Sequence, residues 1–136
     1  MRREASMTQP IELILLRQWS TYQAIPVWLM DAEGDLLFYN EAAEAVLGLR
    51  YVEAGVIHAN DLAELFQTTA LDGSAVPTEE LPVVIALTQR IPAHGELRIK
   101  TADGAGRHLH ITAFPVEGLS ERHLGAVAMF WEEPIP

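Results

Sequence analysis

Residues 25–48 read IPVWLMDAEGDLLFYNEAAEAVLG, and this stretch decides the fold. Two short runs rich in Val, Leu, Phe and Tyr, residues 25–31 and 36–40, are typical of β-strands. The acidic segment between them, residues 31–35, contains Gly34, which can supply the positive φ of a tight turn. The stretch therefore begins with a predicted β-hairpin.

The hairpin runs directly into a short helix. Asn40 is a good N-cap for residues 41–47, because its side-chain oxygen can accept a backbone N–H that has no partner inside the helix. Gly48 suits the left-handed position that ends many helices. The order strand, turn, strand, capped helix is thus predicted from 24 residues.

Further helices are predicted on both sides of this stretch. Residues 9–23 carry apolar side chains three and four positions apart, the spacing of one helical face. Residues 61–66 form a second short helix, and residues 79–89 form a longer one in which Pro82 falls in the first turn.

From His94 onward the apolar period changes to two. Residues 95–101 and 107–116 alternate apolar and polar side chains, with the turn ADGAG (102–106) between them. Residues 124–131 are apolar on both faces, as in a central strand. The chain is therefore predicted to be α+β, with one antiparallel sheet and helices gathered on one face.

Composition and charge exclude several classes of function. The 136 residues favour a single domain, and the net charge of −10 with no extended basic run argues against binding to nucleic acid. Apolar runs are too short for membrane insertion, and no signal peptide is evident, so we expect a cytoplasmic protein. The absence of cysteine excludes disulfides, thiolate metal sites and cysteine nucleophiles.

The chain resembles a PAS domain over residues 25–132. The resemblance rests on IPVWLMDAEGDLLFYNEAAEAVLG, on the LPVVIAL helix, and on ADGAGRHLHITAFPVEGLSERHLGAVAMF, in that order. It implies a five-stranded sheet of order 2-1-5-4-3, helices around a small cavity, and a sensory or regulatory role, usually as a dimer. The expected domains are an N-terminal amphipathic helix that caps a dimer (1–24), the PAS domain (25–133) and a short tail (134–136).

The end of the sequence departs from the family pattern. PAS domains often continue from the last strand into a helix that leads to an effector. Here Trp131 is followed by Glu132, Glu133 and Pro134, and the sequence stops. We therefore expect either a separate signalling effector protein or an excised domain.

A ligand pocket is predicted on the helix-facing side of the sheet. The strand residues of its lining are predicted from strand alternation and from the family register. Two further residues come from the long helix. The same side chains would equally make a filled core that binds nothing. The predicted set is Trp28, Met30, Phe38, Val84, Leu87, Leu97, Ile99, Leu109, Ile111, Ala113, Ala126, Ala128 and Phe130.

A homodimer is predicted on the other side of the sheet. In the order 2-1-5-4-3 the first and last strands are central neighbours, and their outward residues form an apolar stripe that should not stay in water. The first helix has a matching wide apolar face. One surface of that helix can cover the stripe, and the excess can meet a second copy across a two-fold axis. The predicted interface consists of Ile11, Ile14, Leu15, Trp19, Val27, Leu29, Val127, Met129 and Trp131.

No cofactor is expected. LOV-type flavin chemistry needs a cysteine, and haem-binding PAS domains generally use a histidine on the long helix, where residues 79–89 have none. His108 and His110 share one strand face, but zinc needs three or four ligands and no third is close in sequence. Exposed, titratable histidines are the simpler interpretation.

Three function classes remain. The first is a non-enzymatic PAS-type regulatory module that acts through homodimer or partner contacts, with or without a small apolar ligand. The second is a soluble carrier or sensor of a small molecule or cofactor. An enzyme is not expected, because the acidic pairs 79–80 and 132–133 do not face each other and no catalytic motif is present.

Overall fold

The computed structural model describes residues 10–55, 57–101 and 104–133. One antiparallel sheet has the order β2-β1-β5-β4-β3, which confirms the predicted topology. Parts of the predicted cap (1–9) and the predicted tail (134–136) lie outside the described residues. The strands are β1 (Val27–Asp31), β2 (Leu36–Tyr39), β3 (Ala93–Lys100), β4 (Gly106–Glu117) and β5 (His123–Glu132).

Helices lie on both sides of this sheet. We call the face that packs against α2, α4 and α5 the inner face, and the face under α1 the outer face. Within the described residues, three single-turn 3-10 helices lie in the connections, at Ala59–Asp61, Thr78–Glu80 and Leu119–Glu121. The α-helices are α1 (Ile11–Thr21), α2 (Glu41–Leu47), α3 (Tyr51–Ala54), α4 (Leu62–Leu65) and α5 (Pro82–Gln89).

The β1–β2 hairpin contains a bulge that reverses side-chain parity. Trp28 pairs with Tyr39, but Met30 pairs with Leu36, so two residues of β2 stand opposite one residue of β1. The extra residue disrupts strict alternation. Tyr39 consequently packs in the inner core, and Phe38 does not.

Asn40 joins three elements at the end of the hairpin. Its Oδ1 accepts hydrogen bonds from the backbone N–H of Ala43, as the predicted N-cap, and from that of Val27, both at 3.0 Å. Its Nδ2 donates to the carbonyl oxygens of Ser20 and Ile25 at 2.8 and 3.0 Å. One fully buried amide therefore ties the end of α1 to the start of β1 and the start of α2.

The long helix starts later than the sequence predicted. Thr78–Glu80 forms a separate 3-10 turn, and α5 begins at Pro82. Leu81 is extended, with φ −68° and ψ 136°, because a residue before proline avoids the helical region. The break orients Leu81 and α5 toward the inner core, where both contribute side chains.

Gly125 permits the close approach of the two central strands. Its φ is +155°, and a Cβ at this position would lie 2.1 Å from the carbonyl oxygen of Met30. Only glycine avoids that contact without moving the backbone of β1. Gly125 pairs with Asp31, so the constraint acts where β1 meets β5.

Candidate functional site

A small cavity lies between the inner face and the helices. Its volume is about 90 Å³, and Thr68 is the one polar residue of its lining. Leu62, Thr68 and Ile111 are half-buried, whereas the rest of the lining is buried, so these three mark the side nearest to solvent. The lining consists of Trp28, Leu47, Leu62, Phe66, Thr68, Leu81, Pro82, Val83, Leu97, Ile99, Leu109, Ile111, Ala128 and Phe130.

Seven of the predicted pocket residues line this cavity: Trp28, Leu97, Ile99, Leu109, Ile111, Ala128 and Phe130. Five others are buried in the same apolar core without lining the cavity. These five are Met30, Val84, Leu87, Ala113 and Ala126.

The predicted placement of Phe38 is wrong. Phe38 pairs with Leu29, an outer-face residue, and its ring lies 4.8 Å below the guanidinium of Arg17 in α1. The β2 bulge is the physical reason, because it shifts the second half of the strand by one residue relative to strict alternation. Phe38 thus belongs to the contact with α1.

Seven lining residues were missed by the sequence analysis. They come from the helices and from the segment after α4, where no strand alternation exists to reveal which side chains face the sheet. Helical spacing within residues 79–89 could have indicated Val83, although the break at Leu81 obscures that pattern. The missed residues are Leu47, Leu62, Phe66, Thr68, Leu81, Pro82 and Val83.

Trp28, a residue of the cavity lining, has an indole N–H without a hydrogen-bond partner among the described residues. Its ring is stacked on Tyr39, with centroids 5.2 Å apart, and meets Phe66 edge-on at 6.3 Å. The indole Nε1 is buried. A buried donor without an acceptor is unfavourable.

The outer face is covered by one surface of α1. Leu13 and Leu16 pack against Val27, Leu29 and Val127. These three strand residues are 1–2% exposed because α1 covers them within the single chain, and their contribution to a dimer stays a prediction. Met129 is half-buried beside them.

The remaining predicted interface residues are exposed. Ile11, Ile14, Leu15 and Trp19 are 42–66% exposed and lie along one side of α1, and Trp131 at the end of β5 is 41% exposed. We call these four exposed residues of α1 the α1 patch. It is a part of the predicted interface that a partner can reach.

A cluster of histidines and carboxylates occupies the outer face beyond α1. His108 contacts Glu96 at 3.0 Å, and His110 makes a hydrogen bond with Glu133. The pKa of the Glu133 carboxyl is lowered by that hydrogen bond from His110. We call Glu96, His108, His110 and Glu133 the histidine cluster.

Only the two histidines of the cluster were recognised in the sequence. The pair His108 and His110 was recognised, but Glu96 is 12 residues away and Glu133 is 23 residues away from its histidine partner. Residues 102–103 of the predicted turn lie outside the described residues, but β3 and β4 pair antiparallel, and a register drawn from that pairing would have placed Glu96 opposite His110. Glu133 requires knowledge of the β4–β5 pairing.

Comparison with known proteins agrees with this architecture. A family model described as the PAS fold matches residues 19–131. The chain belongs to the PAS family. In general, PAS domains are signalling and sensory modules rather than enzymes. This chain therefore belongs to a family of signalling and sensory modules.

Solved PAS structures resemble the chain at low sequence identity. The PAS domain of a protein from Colwellia psychrerythraea is 18% identical, with a TM-score of 0.63, and the match covers 89% of this chain and 96% of that one. The PAS domain of nitrogen regulation protein NR(II) from Vibrio parahaemolyticus is 15% identical, with a TM-score of 0.59 and coverage of 88% and 98%. The Rhodobacter sphaeroides LOV protein is 15% identical, with a TM-score of 0.69 and coverage of 90% and 68%. These likenesses show the fold.

A search of curated proteins found no match. Among the described residues, the helices of this PAS domain are too short or too polar to cross a membrane.

Proposed function

We propose that this PAS domain is a cytoplasmic, non-enzymatic sensor that takes a small apolar molecule into the inner cavity and signals through a homodimer. The observation that carries the proposal is the apolar cavity of about 90 Å³ between the sheet and the helices. Cavities of this kind are the usual place for a small-molecule site. The family assignment supports the sensory role.

The size of the cavity limits the ligand. A dry, apolar cavity of about 150 Å³ is enough to bind benzene in another protein. The cavity here is smaller, about 90 Å³, so it accepts a molecule of benzene's size only with small movements of the half-buried residues on its open side.

The unpartnered Nε1 of Trp28 refines the ligand class. A molecule with one hydrogen-bond acceptor would satisfy this buried donor, whereas a hydrocarbon would leave it unsatisfied. The proposed ligand is thus a small, mostly apolar molecule that carries a single acceptor.

Benzene and pyridine test this proposal, because they have nearly the same shape and differ by one acceptor nitrogen. Native mass spectrometry of freshly purified protein first establishes whether a small molecule is already bound. Amide NMR titrations of the ligand-free protein then give the two affinities. We expect both probes to shift residues around the cavity, and Trp28→Phe to lower the ratio of pyridine affinity to benzene affinity.

Two variants with opposite effects serve as controls. Ala128→Leu adds three carbon atoms to the lining and should abolish binding of both probes, whereas Val83→Ala enlarges the cavity and should preserve binding or strengthen it. A circular dichroism spectrum establishes that each variant is folded. Binding that survives in folded Ala128→Leu would place the ligand elsewhere and overturn the proposal.

The homodimer part of the proposal rests on the α1 patch. Four large apolar side chains, Ile11, Ile14, Leu15 and Trp19, project from the side of α1 that does not contact the sheet. Contiguous exposed apolar surface commonly marks an interaction site. A two-fold axis beside α1 would let this patch bury itself against the same patch of a second copy.

Sedimentation over a range of concentrations tests the dimer. Leu15→Asp places a charge in the proposed contact and should shift the equilibrium toward monomer. Leu65→Asp is the matched control, because Leu65 is similarly exposed, at 46% against 54%, but belongs to α4 on the inner side. A parent that stays monomeric, or equal effects of the two substitutions, would contradict the assignment.

A further inference from the structure

The histidine cluster brings four metal-ligating side chains together on the outer face. One donor atom from each of Glu96, His108, His110 and Glu133 lies within 4.8 Å of all the others. These residues are half-buried or exposed, so a dissolved ion can reach them. The two imidazoles and two carboxylates supply two nitrogen and two oxygen ligands.

Strand register, and not a flexible loop, positions these groups. Glu96 of β3 pairs directly with His110 of β4. The backbone N–H of Glu133 donates to the carbonyl oxygen of His108 at 2.8 Å, which continues the β4–β5 pairing by one residue. Because alternate residues of a strand share a face, all four side chains project from the outer face of three adjacent strands.

The separations are close to those of a tetrahedral site. Zinc ligands lie about 2.0–2.2 Å from the ion, which puts tetrahedral ligand atoms about 3.3–3.6 Å from one another. Here Glu96 Oε1 lies 3.0 Å from His108 Nε2 and 3.9 Å from His110 Nε2. Rotations of the outer side chains, without movement of the strands, are enough to close the remaining difference.

We propose that Glu96, His108, His110 and Glu133 bind a divalent first-row transition-metal ion, with zinc as the reference ion. Two imidazole ligands favour Zn²⁺, Co²⁺ or Ni²⁺ over Ca²⁺ and Mg²⁺, which prefer all-oxygen sites. Four protein ligands make it a closed, structural kind of site.

His94 lies near the cluster but does not belong to the ligand set. Its ring centroid is 6.3 Å from that of His110 and 6.5 Å from that of Trp131. His94 pairs with Thr112, one step further along the strands than the four ligands. This position makes it a useful control.

An ion at this site would fix the backbone directly after β5. Glu133 is the ligand at that end, and the other ligands belong to β3 and β4. Bound metal would therefore fasten the end of the last strand to its two neighbours in the sheet. Trp131, stacked on His110 with ring centroids 5.7 Å apart, would report occupancy by a change in fluorescence.

Isothermal titration of the metal-free, tag-free protein with Zn²⁺ tests the site, and Co²⁺ absorption reports its geometry. We expect one ion per chain, a Co²⁺ spectrum typical of tetrahedral coordination, and fluorescence quenching by Co²⁺ that is reduced in Trp131→Phe. His110→Ala and Glu133→Gln should each weaken binding by roughly tenfold or more, since even the loss of a residue that only orients a ligand costs about 10–100-fold.

Two neighbouring substitutions are matched controls. His94→Ala removes a nearby histidine outside the set, and Glu132→Gln removes the preceding carboxylate, which pairs with Arg107. Both should leave the zinc affinity unchanged. Absence of saturable zinc binding to the folded parent would overturn the proposal. So would a loss of affinity in His94→Ala equal to that in His110→Ala, or binding that persists unchanged in both ligand variants.

Discussion

The two faces of one sheet differ in how uniformly they are covered. The inner face is apolar from β1 to β3 and is packed by helices, except at the small cavity. The outer face is divided: α1 covers its centre, while the first half of β4 and its neighbours carry the histidine cluster. Because successive side chains of a strand alternate between faces, the same strands line a cavity on one side and carry polar side chains on the other.

This comparison suggests that the two faces can be altered separately. A cavity ligand would act on the helices of the inner layer, whereas a partner or ion would act on α1 and the strand ends. Asn40 is the residue where the two sides meet, since its amide contacts α1, β1 and α2 together.

Replacement of Asn40 should therefore give the largest effect. Asn40→Ala removes the α2 cap and leaves the buried Val27 N–H and two carbonyl oxygens without their side-chain partner. A lost N-cap costs about 1 kcal/mol, and each unsatisfied buried group costs about 1–3 kcal/mol. We expect the free energy of unfolding to fall by about 3–5 kcal/mol, measured by urea denaturation.

Asn40→Ser separates capping from the tie to α1. Serine caps a helix well but is too short to reach the carbonyl oxygens of Ser20 and Ile25. The serine variant should regain only about 1 kcal/mol of unfolding free energy relative to the alanine variant. Hydrogen exchange of the α1 amides should be faster than in the parent in both variants. Full recovery in the serine variant would show that the contact with α1 contributes nothing.

A smaller effect should distinguish the two sides of α1 itself. Leu13 is 3% exposed against the outer face, whereas Leu15 is 54% exposed in the α1 patch. Leu13→Ala should cost about 2–4 kcal/mol of unfolding free energy, and Leu15→Ala no more than about 0.5 kcal/mol. Urea unfolding at a concentration where sedimentation shows monomer is the measurement. Equal losses would mean that the contact of α1 with the sheet does not depend on Leu13.

Much of this arrangement follows from local sequence patterns. Alternation in β3 and β4 correctly placed Leu97, Ile99 and Leu109 on the inner face, and the asparagine and glycine flanking α2 cap that helix as predicted. Phe38 was misplaced because a single inserted residue reverses parity, and no feature of the residues 36–40 marks the bulge.

Features that depend on distant pairing were the hardest to predict. The apolar face of α1 was recognised, but periodicity alone did not show that Leu13 and Leu16 would pack inward while Leu15 stays exposed. Likewise, Glu96 and Glu133 join the two histidines only through the register of three strands. Local patterns predict elements and faces, whereas sites assembled across the sheet require the register.

The smallest effect concerns an ion pair where the inner helix layer meets the end of β4. Arg90 ends α5 in a left-handed conformation, and its Nε and a terminal nitrogen donate to the two carboxylate oxygens of Glu117. The hydrogen bond from Arg90 lowers the pKa of Glu117. A carboxyl with a lowered folded-state pKa stabilises the fold above its unfolded-state pKa, about 4.3 for glutamate, and loses that contribution as the pH falls through the folded-state value.

Glu117→Gln should therefore lower the thermal midpoint slightly at pH 5, and the difference from the parent should shrink as the pH falls toward about 3. The pair is exposed, so the effect should be small and should weaken in high salt. His123 Nδ1 lies 3.7 Å from the Glu117 carboxylate and is present in both variants. Glu121→Gln is the matched control, because it removes the same charge while Arg90 bonds only the backbone oxygen of Glu121. A deficit that is independent of pH, or equal in the two variants, would show that the side-chain pair does not fasten the inner helix layer to the sheet.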